Sequence, residues 1–369
     1  MLQDKMLKPL ELDFNGKAGE YFRIWIVNVL LTILTIGVYS AWAKVRTKQY
    51  FYGNTILDGS PFEYNASPVA ILKGRLVVAA ILIIYFAVSS FYPAVEPIFI
   101  LVFFGFLPWL IMRSMMFNAR YSNYRNLNFT FNNNLRDSVK TFIGLAILIP
   151  LTLGLIYPFY MHAIQQYRVD NHNFGQLAFR LKSIVGRFYK IYLLAGLIFI
   201  GIIVLFYFFG LKDLTNAMVS ASSEDPEAAP ELPANAGNII LIMTLIYLVA
   251  YFFVYAFIQA KVFNAVWENT TLTKVGGTAI TAPRVPLVAF NADITPLKLF
   301  YIYVTNTLAI VASLGLLIPW AKIRMARYRI SHVDVSAIAD LKTISAAERD
   351  KEGAIGSEMG DILDIDIGI

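Results

Sequence analysis

Twenty consecutive residues, Ile191 to Gly210, carry no charge, and Ile239 to Ala260 forms a second run of the same kind. About 20 apolar helical residues cross ~30 Å of hydrocarbon. Only helices and closed barrels satisfy their backbone groups in that environment. The runs are continuous rather than alternating, so they predict helices, and a chain with several of them is a polytopic membrane protein. Composition agrees: 57% of residues are hydrophobic and 15% charged, against about a quarter charged in a soluble domain.

Seven apolar segments stand out, at about 22–43, 76–92, 97–117, 141–162, 190–210, 238–260 and 299–321. Lys and Arg collect in cytoplasmic loops. Here the loops 44–75, 118–140, 163–190, 261–298 and 322–329 are basic, whereas the links 93–96 and 211–237 hold Lys212 as their one base. If all seven segments crossed, basic loops would alternate sides. The conflict disappears if segments 2, 3, 5 and 6 cross as two hairpins and segments 1, 4 and 7 enter and return on the same side or lie in the interface. Both termini then lie in the cytoplasm. The net charge of +6 is read as topogenic charge, not as a nucleic-acid surface.

Segments 1 and 7 align at a fixed offset of 278, pairing Asn28 with Asn306, Gly37 with Gly315, Trp42 with Trp320, Lys44 with Lys322 and Arg46 with Arg324. Segment 4 fits the same register through Thr152 and Gly154. Gly with Pro nearby (Pro158, Pro319) breaks or kinks a helix, and a break at mid-depth is what a re-entrant segment needs. Segments 3 and 6 also match each other, Phe117-Asn118-Ala119 against Phe263-Asn264-Ala265. Asp58-Gly59, between Tyr50–Leu57 and Phe62-Glu63-Tyr64, is a hairpin signal. Phe129-Thr130-Phe131 and Leu177-Ala178-Phe179 echo its second strand. The fold expected is an all-α polytopic membrane protein with internal repeats: broken or re-entrant helices, two transmembrane helical hairpins and small cytoplasmic β elements. Its parts are an N-terminal cytoplasmic segment 1–21, one membrane domain 22–332, and a flexible acidic tail 333–369. Residues 334–369 hold nine acids against three bases.

The strings Phe14-Asn15-Gly16-Lys17, Thr35-Ile36-Gly37-Val38-Tyr39-Ser40-Ala41-Trp42-Ala43-Lys44-Val45-Arg46, Tyr52-Gly53-Asn54-Thr55 and Gly315-Leu316-Leu317-Ile318-Pro319-Trp320-Ala321-Lys322-Ile323-Arg324 resemble the YjgN-like bacterial inner-membrane proteins, a family defined as a domain of unknown function. The family usually has Pro before the Trp, where this chain has Ala41 in the first copy. The resemblance implies an inner-membrane location and no particular reaction.

Two groups of residues are candidate sites. Trp42, Lys44 and Arg46 with Trp320, Lys322 and Arg324 form a candidate surface for anionic lipid headgroups or another anion, and equally an aromatic and basic interface anchor. Asn28, Thr32, Thr35, Thr305, Asn306 and Ser313 place polar groups at membrane depth, as a polar path or as interhelical hydrogen-bond glue. Gly37, Gly154 and Gly315 mark the helix breaks. Arg113 is an ionisable residue within a span, close enough to its end to snorkel.

No span carries an acid, so the usual relay of a coupled transporter is missing. The chain has no cysteine, and His162, His172 and His332 are scattered. No cofactor, metal site or catalytic constellation is expected, so the chain reads as a non-enzyme. Two functional classes stay open: a membrane scaffold that organises a cytoplasmic partner through its hairpins and acidic tail, and a passive transport, channel or lipid-handling component.

Overall fold

The computed structural model describes residues 7–175, 177–208, 236–274 and 286–338, together with Lys212, Val219 and Leu341. The chain starts with two three-residue strands, β1 (Lys8–Leu10) and β2 (Leu12–Phe14). There follow α1 (Ala18–Leu34), α2 (Ser40–Gly53), β3 (Thr55–Leu57), β4 (Ser60–Tyr64), α3 (Pro68–Phe91), α4 (Glu96–Arg120), β5 (Ser122–Tyr124) and β6 (Leu127–Phe131). Next come α5 (Leu135–Val139), a π-helical turn Lys140–Gly144, α6 (Leu145–Leu151), α7 (Tyr157–Asp170), β7 (His172–Phe174), β8 (Leu177–Leu181) and α8 (Val185–Phe206). The last elements are α9 (Ala236–Glu268), β9 (Thr270–Lys274), β10 (Val288–Ala292), α10 (Pro296–Ala312), α11 (Ile318–Ile330) and β11 (Val333–Ala337).

The eleven strands form one sheet in the order β1-β11-β10-β9-β8-β7-β6-β5-β4-β3-β2, with antiparallel neighbours throughout. Only Glu11 separates β1 from β2, yet β1 pairs with β11 and β2 with β3. One N-terminal stretch therefore joins both ends of the sheet, and the result is a nearly closed barrel. This corrects the all-α expectation. Each strand is three to five residues long, too short to declare itself by alternation alone, and the pairing that closes the ring links Lys8 with Ala337.

Alternation does set the barrel interior. Phe62, Phe129, Phe179 and Phe290 occupy the middle of β4, β6, β8 and β10, with successive ring centroids 6.5, 6.3 and 6.2 Å apart. They pack on buried Leu57, Tyr124, Leu127, Phe174, Leu177, Leu272, Val288, Val335 and Leu341. The interior is thus a filled apolar core. The turn residues Asp58 and Gly59 have φ of 46° and 70°, and Arg125 and Asn126 have 53° and 60°, the doubly positive pattern that matches strand twist in two-residue hairpins.

Five times the chain leaves the barrel along a strand, makes a helical excursion and returns along the next. Antiparallel pairing places all five excursions at one end and the hairpin turns at the other. The same backbone hydrogen bond seals each excursion where it begins and ends: Asn15 N to Asn54 O (2.9 Å), Asn65 N to Tyr121 O (2.9 Å), Asn132 N to Asn171 O (2.8 Å), Lys182 N to Asn269 O (3.0 Å) and Asp293 N to His332 O (3.3 Å).

Two excursions are long. Helices α3, α4, α8 and α9 are each long and apolar enough to cross a membrane, and their outer faces expose Ile83, Leu101, Leu193 and Leu241. The other three, α1/α2, α5–α6/α7 and α10/α11, fold back on themselves. Residues Tyr50–Gly53, expected in a strand, instead finish α2, because Tyr50 stacks on Tyr21 of α1 at 5.3 Å and Phe51 meets it edge-on at 4.9 Å. That packing overrides the β preference of the aromatic run. The acidic residues Glu224, Asp225, Glu227 and Glu231, and the tail from residue 342, lie outside the described residues.

Candidate functional site

Three turns are built alike. Gly37 N donates to Thr32 O (2.7 Å), Gly154 N to Ile149 O (2.8 Å) and Gly315 N to Ile310 O (2.8 Å). Beside each, Ile36 N donates to Ile33 O, Leu153 N to Pro150 O and Leu314 N to Val311 O, all at 3.1 Å. This pair of bonds is the Schellman helix ending. The glycines have φ of +88°, +84° and +91°, which explains the requirement for Gly at each. The residue before each is apolar and also left-handed, with φ of 51°, 50° and 51° at Ile36, Leu153 and Leu314. These three side chains are 94%, 93% and 95% exposed. A β-branched or bulky residue at positive φ is strained, so three hairpins each hold a strained, bare apolar tip.

Behind the first tip lies a cavity of about 500 Å³. Tyr21, Trp25, Asn28, Thr32 and Ile33 of α1 line one wall, and Ser40, Lys44, Thr47 and Lys48 of α2 another, with Lys322 reaching in from α11. No carboxylate lines it. Lys48 is anchored by donating to Asn118 Oδ1 of α4 and to Tyr64 OH at 3.4 Å, and Arg75 of α3 donates to Ser40 Oγ. The cavity is thus tied to the first long hairpin.

Asn28 is 4% exposed and Tyr21 fully buried. Neither the Asn28 amide oxygen and nitrogen nor the Tyr21 hydroxyl has a hydrogen-bond partner among the described residues. A buried polar group left unpaired costs on the order of 1–3 kcal/mol. The matching position in the last hairpin is treated differently. Arg324 Nη1 donates to Asn306 Oδ1 (2.9 Å) and to Thr305 Oγ1 (2.6 Å), and Asn306 Nδ2 donates to Ala321 O (3.4 Å). Arg324 also lies over Trp320 and Tyr301, at 5.1 and 5.4 Å from the ring centroids. Arg46, the counterpart of Arg324, turns outward and donates to Tyr39 OH (2.8 Å).

Of the residues singled out from sequence, the fold brings Asn28, Thr32, Lys44 and Lys322 to one cavity. Trp42 stacks on Tyr39 at 6.1 Å, and Arg113 sits apart in α4, 5.6 Å from the Trp109 ring. Tyr21, Ser40, Thr47 and Lys48 escaped sequence reading; only the spacing of Lys44 and Lys48, one helical turn apart, signalled a shared face. Among the described residues, no group of three or more His, Asp or Glu is placed to hold a metal ion.

Four membrane-length apolar helices anchored in one filled barrel define a polytopic membrane protein. The chain belongs to the family of bacterial proteins of unknown function designated DUF898, whose model matches residues 9–362. It is similar to Inner membrane protein YjgN of Salmonella typhimurium strain LT2, 29% identical over 179 residues, covering 47% of this chain and 44% of that protein. It is also similar to Inner membrane protein YjgN of Escherichia coli K12, 28% identical over 150 residues, covering 39% of this chain and 36% of that protein. The matches span less than half the length of these relatives, whose name supports an inner-membrane location for this chain. No solved structure matches.

Proposed function

We propose that the protein is an inner-membrane scaffold that presents its barrel on the cytoplasmic side. The observation that carries this reading is the apolar barrel core, with Phe62, Phe129, Phe179 and Phe290 in line across it, a packed platform rather than a polar channel. Orientation follows from charge. Arg75, Arg120, Arg187, Lys190 and Lys261 lie toward the barrel end of their helices, while the turn Pro93–Val95 at the far end has no base. By the positive-inside bias the barrel and both termini are cytoplasmic.

The three short hairpins then enter one leaflet. Asn28 stands six residues from the tip end of α1 at Leu34 and Lys44 four from the tip end of α2 at Ser40, about 9 and about 6 Å at 1.5 Å per residue, well short of the ~30 Å hydrocarbon core. The hairpins repeat one β–helix–helix–β plan, which we read as an internal repeat. The scaffold's partner is a cytoplasmic protein that docks on the barrel or on the acidic tail. The cavity behind Ile36 favours a second reading, lipid handling.

Single-cysteine labelling tests the orientation in a chain that has no cysteine of its own. A cysteine at Ser183 should resist an impermeant thiol reagent in intact cells, while one at Ala94 reacts. The opposite pattern would overturn the orientation. Cross-linking from the barrel should capture one stoichiometric cytoplasmic protein, and its absence would leave the lipid-handling reading.

A further inference from the structure

We propose that the cavity between α1, α2 and α11 binds a phosphate headgroup that also carries hydroxyl groups. The inference goes beyond the scaffold reading and does not depend on which side the barrel faces. Three lysines and no carboxylate line the cavity, so it selects negative charge. Ammonium groups at this level of a membrane attract anionic headgroups.

The orphan amide supplies the second requirement. Asn28 Oδ1 needs a donor and Nδ2 needs an acceptor. A phosphate oxygen answers Nδ2, and a headgroup hydroxyl answers Oδ1. A choline headgroup has neither a free hydroxyl nor net negative charge. The contrast with Asn306 shows that this chain has the means to close such a site: there, Arg324 satisfies the amide from within the hairpin. In the first hairpin Arg46 goes to Tyr39 instead, and the amide stays unpaired in the cavity wall.

Depth and wall chemistry fit an amphiphile. Asn28 lies about 9 Å along α1 from its tip end at Leu34, and Lys44 about 6 Å along α2 from Ser40, so the polar groups sit above an apolar turn at Ile36 that is immersed in acyl chains. Trp25, Val29 and Ile33 continue the wall toward that tip, offering apolar contact to an acyl chain below a headgroup held by the lysines. The same head chemistry also exists in soluble glycerol phosphates, so the source has to be settled by measurement.

The experiment measures thermal unfolding of the full-length protein in a neutral detergent. The additives are dioleoylphosphatidylglycerol, dioleoylphosphatidylcholine and glycerol 3-phosphate, and native mass spectrometry counts the lipids retained. The glycerol lipid should raise the melting temperature more than the choline lipid. Lys44→Gln with Lys322→Gln should weaken the apparent affinity roughly tenfold or more, at ~1 kcal/mol for each basic group. Lys298→Gln, a lysine outside the cavity, should retain it. Asn28→Leu should fold at least as stably without lipid, because an apolar side chain replaces an unpaired amide, and should narrow the preference for glycerol over choline to the part the lysines supply. If the double variant misfolds, Lys322→Gln alone, at an exposed position, carries the test. Stabilisation by glycerol 3-phosphate as well would assign a soluble ligand of the same chemistry, and stabilisation by the lipid alone would assign a lipid. Equal shifts with the two lipids, or undiminished preference in the lysine variants, would overturn the proposal.

Discussion

Arg324 and Asn306 face each other across the last short hairpin at 2.9 Å, and no equivalent bond joins Arg46 to Asn28 across the first, although all four residues sit at matching places in sequence. The first prediction follows. Arg324→Met strips the buried Asn306 oxygen of its charged donor and should lower stability by on the order of 1–3 kcal/mol. Arg46→Met removes one bond from an exposed side chain and should change stability by less than about 0.5 kcal/mol. Urea or thermal unfolding in detergent compares the two; equal losses would count against the assigned roles.

The three tips give a second prediction. In detergent, Ile36→Gly, Leu153→Gly and Leu314→Gly should each relieve roughly 1–2 kcal/mol of left-handed backbone strain. Gly37→Ala, Gly154→Ala and Gly315→Ala should be destabilising, since each glycine has φ near +90°. Ile36→Glu, Leu153→Glu and Leu314→Glu, by contrast, should reduce membrane-inserted protein in cells, because a charge placed in lipid is unfavourable by up to ~3 kcal/mol. A pulse-chase of the membrane fraction reads this, and unchanged accumulation of all three would show that the tips do not enter lipid.

The barrel core supplies a third. Phe129 meets Phe62, Phe174 and Phe179 at 6.5, 5.0 and 6.3 Å. Phe129→Ala should cost about 3–5 kcal/mol, and Phe129→Leu much less. Limited proteolysis at the hairpin turns should rise in the alanine variant only.

A fourth concerns pH. His162 is buried in α7, where its Nε2 accepts the Ile184 backbone N–H at 3.2 Å and its ring meets Phe188 edge-on at 5.2 Å. Burial pushes its imidazole below the ordinary histidine value of 6.5, against a smaller upward pull from Asp170. His172 is lowered by burial too. Above 6.5 both rings are neutral whether the chain is folded or not, and their contribution is flat. As pH falls through 6.5 the unfolded chain takes up protons first, so stability drops until the folded groups protonate as well. Melting temperature should therefore decline between about pH 7.5 and about pH 5.5, and His162→Gln should flatten the decline. An unchanged slope in that variant would remove His162 from the account.

Several of these features were legible in the residues. The offset pairing Gly37 with Gly315 is visible directly, and the three equivalent turns follow from Gly-φ chemistry. The crossing segments are a matter of length and apolarity. The barrel was harder, though its inward residues are plain in hindsight: Leu10, Leu12 and Phe14; Leu127, Phe129 and Phe131; Val288, Phe290 and Ala292. Each run is too short to outweigh an adjoining helix signal, and nothing local says that Pro9 lies opposite Ser336. Asn28 was legible as a polar residue in an apolar run. Its lack of a partner was not, since Arg46 and Arg324 are the same residue at the same spacing, and only the direction each side chain takes tells them apart.

Of the described strands, β1 is synthesised before all the others, and β11, which it must meet, after them. A ribosome releasing this chain has already fed both membrane hairpins to the insertion machinery before Val333–Ala337 emerges. Until then β1 and the growing end of the sheet are bare edges, and unpaired edges invite foreign strands. Ring closure is therefore a late, long-range event, and losing a few residues before Glu11 should leave every helix insertable and the barrel open. Completion of the barrel waits on the meeting of β1 with β11.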